Sequence, residues 1–117
     1  MYYQKEYADL TQHKIPLVKT LISKDIFEGD FNDCKLPGED LVDAYLPYSK
    51  FKNGNLHQAQ LKNAILNNSR FDLSNLSLSN LEGANLYFAS FFRANLAGAN
   101  LTDANLQYAN LSYVNLR

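Results

Sequence analysis

The chain has 117 residues and a mass of 13.3 kDa, the size of one small domain. Its 11 basic and 12 acidic side chains leave a formal charge of −1, which argues against a non-specific binder of nucleic acid or anionic membrane. No apolar run approaches the ~18 residues of a membrane span, the opening Met1-Tyr2-Tyr3-Gln4 does not read as a signal peptide, and the one cysteine, Cys34, excludes a disulfide framework or a multi-cysteine zinc site. The expectation is a soluble cytoplasmic protein with no membrane or nucleic-acid partner.

Residues 1–25 stand apart from the rest. Leu17, Val18, Leu21 and Ile22 recur at i, i+1, i+4 and i+5 behind Pro16, which predicts one face of a helix with proline in its first turn. Tyr2, Tyr3, Tyr7 and Leu10 suit a shorter turn beside it. This segment reads as an N-terminal helical cap over the repeating region that begins near residue 26, because a bare end of stacked strands is an adhesive edge.

From Phe31 to Leu116 every fifth residue is Leu or Phe. On a helix five steps rotate ~140°, which would wind the leucines around the cylinder. On a strand five is odd, so they would alternate faces. The pattern requires a backbone that turns after each five residues and returns every fifth side chain to a common interior. A second period sets the coil. Phe31, Phe51, Phe71 and Phe91 are 20 residues apart, so four five-residue sides make one coil. The reading is an all-β solenoid over 26–117, with about four coils stacked as paired strands ~4.8 Å apart. Its structural core includes Phe31, Phe51, Phe71, Phe91, Leu96, Leu101, Leu106 and Leu111. Two residues before most leucines lies a small side chain, such as Ala44, Ser49, Gly54, Ala59 and Ala84, which lets the backbone bend inward. Asparagine columns at Asn55, Asn75, Asn95 and Asn115 and at Asn80 and Asn100 are expected to hydrogen-bond up and down the stack.

Ala84-Asn85-Leu86, Ala94-Asn95-Leu96, Ala99-Asn100-Leu101 and Ala104-Asn105-Leu106 resemble the pentapeptide-repeat family, whose motif is A(D/N)LXX. The resemblance implies a right-handed quadrilateral β-helix. It also implies two functional possibilities. Some members dimerise through their C-terminal coils, and a homodimer here would use an edge of Leu111, Val114 and Leu116. Others resemble duplex DNA and bind DNA gyrase, conferring fluoroquinolone resistance. A DNA mimic needs carboxylates along its coils at phosphate-like spacing. Residues 1–43 carry net −4, but residues 44–117 carry net +3, the wrong sign, and the rod would match only about six base pairs.

Nothing in the sequence points to catalysis, a metal or a cofactor. His13 and His57 have no second ligand at metal spacing, and no histidine stands beside Cys34 to activate it. The acids from Asp25 to Asp43 do not follow a calcium loop. The surface signal is aromatic. Tyr87, Phe88, Phe92, Tyr108 and Tyr113, with Arg93, are predicted to face outward around one corner of the last coils, and such residues mark protein interfaces. The expected function is a non-catalytic interaction or scaffold module for a protein partner.

Overall fold

A computed structural model describes residues 28–117; the helical cap expected over 1–25, and His13 with it, lie outside them. Residue n forms a parallel bridge with residue n+20 at every fifth position, from Asp30–Lys50 to Asn95–Asn115. The coil is therefore four-sided, as the phenylalanine spacing predicts. We number the sides from the phenylalanine column: the first contains 50–54, 70–74 and 90–94, and the fourth contains 45–49, 65–69 and 85–89. Each side contributes a single bridging residue instead of an extended strand, because a turn occupies most of its five residues.

The five-residue unit follows from its backbone donors, each of which must find an acceptor when buried. In the unit 75–79, Asn75 N–H donates back to Gly54 C=O at 2.9 Å. Leu76 and Leu78 N–H donate forward to Asn95 and Ala97 C=O at 2.7 and 2.8 Å. Ser79 N–H closes the turn onto Leu76 C=O at 3.1 Å. That leaves Ser77 N–H, which the Asn75 side chain accepts through Oδ1 at 3.0 Å. The same local bond recurs from Asn55, Asn80, Asn85, Asn95, Asn100, Asn105, Asn110 and Asn115. The asparagine columns thus do not bond along the stack as expected. Their oxygens satisfy the one N–H that neither neighbouring coil nor turn can reach, and an Asx turn does so locally. Where the bridging residue is Lys50 or Ser90, the preceding coil supplies the acceptor instead: Asn32 Oδ1 for Lys52 N–H and Asp72 Oδ1 for Phe92 N–H.

Each corner has φ near +60° at its third residue, including Leu73, Leu78, Phe88, Arg93, Tyr108 and Tyr113. A positive φ at that position alone is the signature of a type II turn, and side chains other than glycine pay about 1–2 kcal/mol for it. The repeated coil-to-coil bonds offset that cost. Gly98 occupies such a corner for an additional reason, since a Cβ there would approach Leu78 Cδ2 to 2.6 Å.

Inside, Phe31, Phe51, Phe71 and Phe91 are at most 1% exposed. Their rings stack in parallel at 5.1, 4.9 and 5.1 Å, the rise of one coil. Leu96 is likewise buried, Leu101 and Leu106 are partly buried against this core, and Leu111 is 38% exposed. Leu111 continues the phenylalanine column, but among the described residues no further coil covers it. The small residue two before most interior Leu and Phe side chains also points inward, which keeps it small. A Cβ on Gly54 would meet Cys34 Sγ at 2.8 Å.

Two buried serines at this small position behave oppositely. Ser69 Oγ donates to Leu46 C=O at 3.0 Å and accepts Ser49 N–H at 3.2 Å, relaying the turn closure at Leu46–Ser49. Ser79 Oγ has no hydrogen-bond partner, and its neighbours in the column, Ala59 and Ala99, carry no hydroxyl. Ser79→Ala is expected to stabilise the chain by about 1 kcal/mol, because an unsatisfied buried hydroxyl is removed. Ser69→Ala is expected to cost about 1–3 kcal/mol. Urea denaturation of the two variants beside the parent chain checks both signs.

Candidate functional site

The outward aromatic residues form two clusters. On the fourth side Phe88 and Tyr108, one coil apart, stack at 5.0 Å with an interplanar angle of 21°. Tyr87 meets both edge-on, at 4.7 and 5.6 Å. Stacking follows from the corner geometry, which places residue 108 directly over residue 88. On the first side Phe92 and Tyr113 pack edge to face at 5.9 Å. The Arg93 guanidinium lies 5.3 Å from one ring centre and 5.5 Å from the other, within cation–π range of both. Arg93 makes no ion pair among the described residues, so its charge stays available over an apolar surface.

The six residues singled out in the sequence are thus brought into two groups, on the two sides that meet at one corner; no ring contact among the described residues joins the groups. Exposure is unequal. Tyr113, Tyr108 and Phe88 are 77%, 65% and 50% exposed, whereas Tyr87 and Phe92 are half-buried beneath them. Leu73 and Leu78 are also prominent, at 47% and 54%. Both sit at the outward corner position, as the four-sided register predicts for them.

A third outward group is basic. Lys50, Lys52 and Arg70 surround a cleft of about 180 Å³ on the first side, with Asn32 and Asp72. Asp72 is held by Arg70 at 3.1 Å and also accepts from Ser90 Oγ and Phe92 N–H. The signal was present in the twenty-residue spacing of Lys50 and Arg70 but is faint against an overall charge near zero.

The remaining polar residues are engaged in structure. His57 Nδ1 pairs with Ser77 Oγ at 2.7 Å. Partial burial raises the Glu39 carboxyl above its ordinary value. Burial pushes the Cys34 thiol up to about 12, with hydrogen bonds from the Asn55 and Cys34 backbone opposing the shift in part. Among the described residues no three His, Cys, Asp or Glu side chains gather as metal ligands, and no helix is long and apolar enough to cross a membrane.

A four-sided coil with an inward Leu or Phe and a type II turn in every five residues, many of the turns capped by an Asx side chain, defines a quadrilateral β-helix. The model for pentapeptide repeats matches this chain in eight copies over residues 55–87 and 84–117, more than half its length. The chain belongs to the pentapeptide-repeat family. Solved relatives agree on the right-handed form of the coil. A pentapeptide-repeat protein from the Arabidopsis thaliana thylakoid lumen superposes with a TM-score of 0.60 at 19% identity, over 82% of this chain and 68% of that one. Rfr23 from the cyanobacterium Cyanothece 51142 gives 0.51 at 25% identity, over 86% and 92%. QnrB1, a plasmid-mediated fluoroquinolone resistance protein, gives 0.61 at 26% identity, over 74% of this chain and 48% of QnrB1. The chain thus matches about half the length of QnrB1. No curated protein matches significantly by sequence.

The Cys34 thiol yields a pH prediction. Its folded value of about 12 lies above the ordinary 9.0. Above pH 9 the unfolded chain releases the thiol proton while the folded chain keeps it, so stability falls as pH rises toward 12. The loss is about 1.4 kcal/mol per pH unit in that window. Cys34→Ala, followed by urea denaturation between pH 8 and 10.5, should remove this part of the alkaline loss.

Proposed function

We propose that this chain is a non-catalytic protein-interaction module that presents the aromatic surface of its last coils to a protein partner. The observation that carries the reading is the pair of exposed clusters, Phe88–Tyr108 and Phe92–Arg93–Tyr113, mounted on a hydrogen-bonded coil. Aromatic and arginine side chains dominate binding energy where they are desolvated. Here their backbones are already fixed, so association costs little ordering. Tyr87 and Phe92 brace the more exposed rings from below.

A second reading, a DNA-mimicking ligand of gyrase, draws on the likeness to QnrB1. The net +3 of residues 44–117 opposes it, since a mimic of the duplex must repeat its negative charge. A purified-gyrase supercoiling assay separates the two: inhibition at micromolar protein would favour mimicry.

The interaction reading is tested by affinity capture on the immobilised chain beside Phe88→Ser/Tyr108→Ser/Tyr113→Ser. These three are the most exposed of the five aromatic residues, so the variant should keep its melting temperature. A protein held by the parent and bound at least tenfold more weakly by the variant is the expected result. Equal retention by both would overturn the reading.

We also propose self-association through the C-terminal coil. There Leu111 and Leu116 are 38% and 58% exposed, and a hollow of about 680 Å³ is bordered by Tyr113, Val114 and Leu116. Leu101, Leu106 and Leu111 N–H stand where each earlier coil donates to the next. Sedimentation equilibrium should give a dimer for the parent and a monomer for Leu111→Asp/Leu116→Asp.

A further inference from the structure

The first side carries an arrangement of cations that the fold does not need. Lys50 and Arg70 oppose each other across a parallel bridge, and like charges directly opposite are destabilising. Neither is an Asx residue of the kind that caps many of the other turns, a departure shared with Lys35, Tyr45, Gln60 and Ile65; Lys52 N–H takes Asn32 Oδ1 from the preceding coil. The same column accommodates Asp30, Ser90 and Asn110, so the backbone does not impose cations there. Lys52 adds a third positive charge. Arg70 is paired with Asp72, but neither Lys50 nor Lys52 makes an ion pair among the described residues. Asp30 bridges Lys50 from the preceding coil without an ion pair, and its Oδ1 accepts Asn32 N–H.

These side chains enclose the cleft of about 180 Å³ lined by Asn32, Lys50, Lys52, Arg70 and Asp72, whose charged groups sum to +2 by formal count. A second hollow of about 290 Å³ shares Lys50 and Arg70 and adds Tyr48, Asn68 and Glu28. We propose that the first cleft binds a phosphoryl group, with Lys50 and Lys52 as its charge partners. Arg70 stays in place through Asp72, which Ser90 and Phe92 N–H fix in turn. A tetrahedral dianion fits the volume of the cleft and relieves the opposed charges. The group arrives either as free phosphate or as a phosphate monoester. In the latter case the remainder of the ligand occupies the second hollow beside Tyr48 and Asn68.

The test is an amide-resolved NMR titration of the full chain with inorganic phosphate, and separately with adenosine monophosphate, against sodium chloride at matched ionic strength. Saturable shifts at Asn32, Lys50, Lys52 and Arg70 are expected with phosphate, and the Kd should rise at least tenfold in Lys50→Gln/Lys52→Gln. Lys62→Gln, on the third side, should leave it unchanged. Tighter binding of the monoester with shifts at Tyr48 and Asn68 identifies a phosphate ester as the ligand. Equal affinities with shifts confined to the first cleft identify free phosphate. A second measurement separates binding from structure: in phosphate-free buffer Lys50→Gln should raise the melting temperature by relieving Arg70. Shifts reproduced by chloride, a Kd unchanged in the double variant, or a lowered melting temperature for Lys50→Gln would each overturn the proposal.

Discussion

Every feature of this molecule depends on one constraint: residue n must lie over residue n−20 at the distance of a backbone hydrogen bond. In a repeat with a coil on either side, that stacking satisfies three of the five N–H groups, and the turn satisfies a fourth. The fifth is left to a side chain. The Ala-Asn-Leu consensus is the chemical answer to this partition. Alanine is small because its Cβ is inside, asparagine caps the remaining donor, and leucine fills the coil.

The same constraint explains why strain is tolerated at the corners. A left-handed residue is unfavourable for Leu, Phe or Tyr, yet these occupy corner after corner. Each such residue donates its own N–H to the next coil wherever one is present, as Leu73 does to Phe92 and Phe88 to Gln107. Because the corner is also the most outward point, bulky residues placed there are displayed and held at once. The stacking of Tyr108 over Phe88 and the cradle of Phe92 and Tyr113 around Arg93 follow from that geometry. A flexible loop carrying the same residues would have to order them on binding.

Much of the fold was legible because its determinants are periodic. Phe31, Phe51, Phe71 and Phe91 announce the coil length, and the unbroken series from Phe31 to Leu116 announces the interior. What stayed hidden was directional. The sequence displays asparagine columns, but whether Asn75 bonds to Asn95 above or to Ser77 within its own turn depends on which donor lacks a partner, and only the backbone geometry reveals that. Likewise, the aromatic residues could be assigned to sides by counting, whereas the depth of Tyr87 beneath Phe88 and Tyr108 depends on rotamers. The cleft at Lys50 and Arg70 was obscured for a different reason. Its cations are separated by twenty residues and interspersed with acids, so no local window of sequence looks basic.

The register that closes the core also sets the grain of change open to this protein. An added or deleted residue would slide every later side chain out of the interior, breaking both the leucine columns and the ladder. A change of five would keep both. It would, however, turn the whole downstream surface by a quarter revolution, breaking the phenylalanine column and carrying Phe92, Arg93 and Tyr113 to another side. Only a change of twenty, one whole coil, leaves core and surface aligned. Length in this molecule is therefore an angular coordinate: each step of five re-aims the outer face by a right angle and interrupts the phenylalanine stack beneath it, and only whole coils leave both in place.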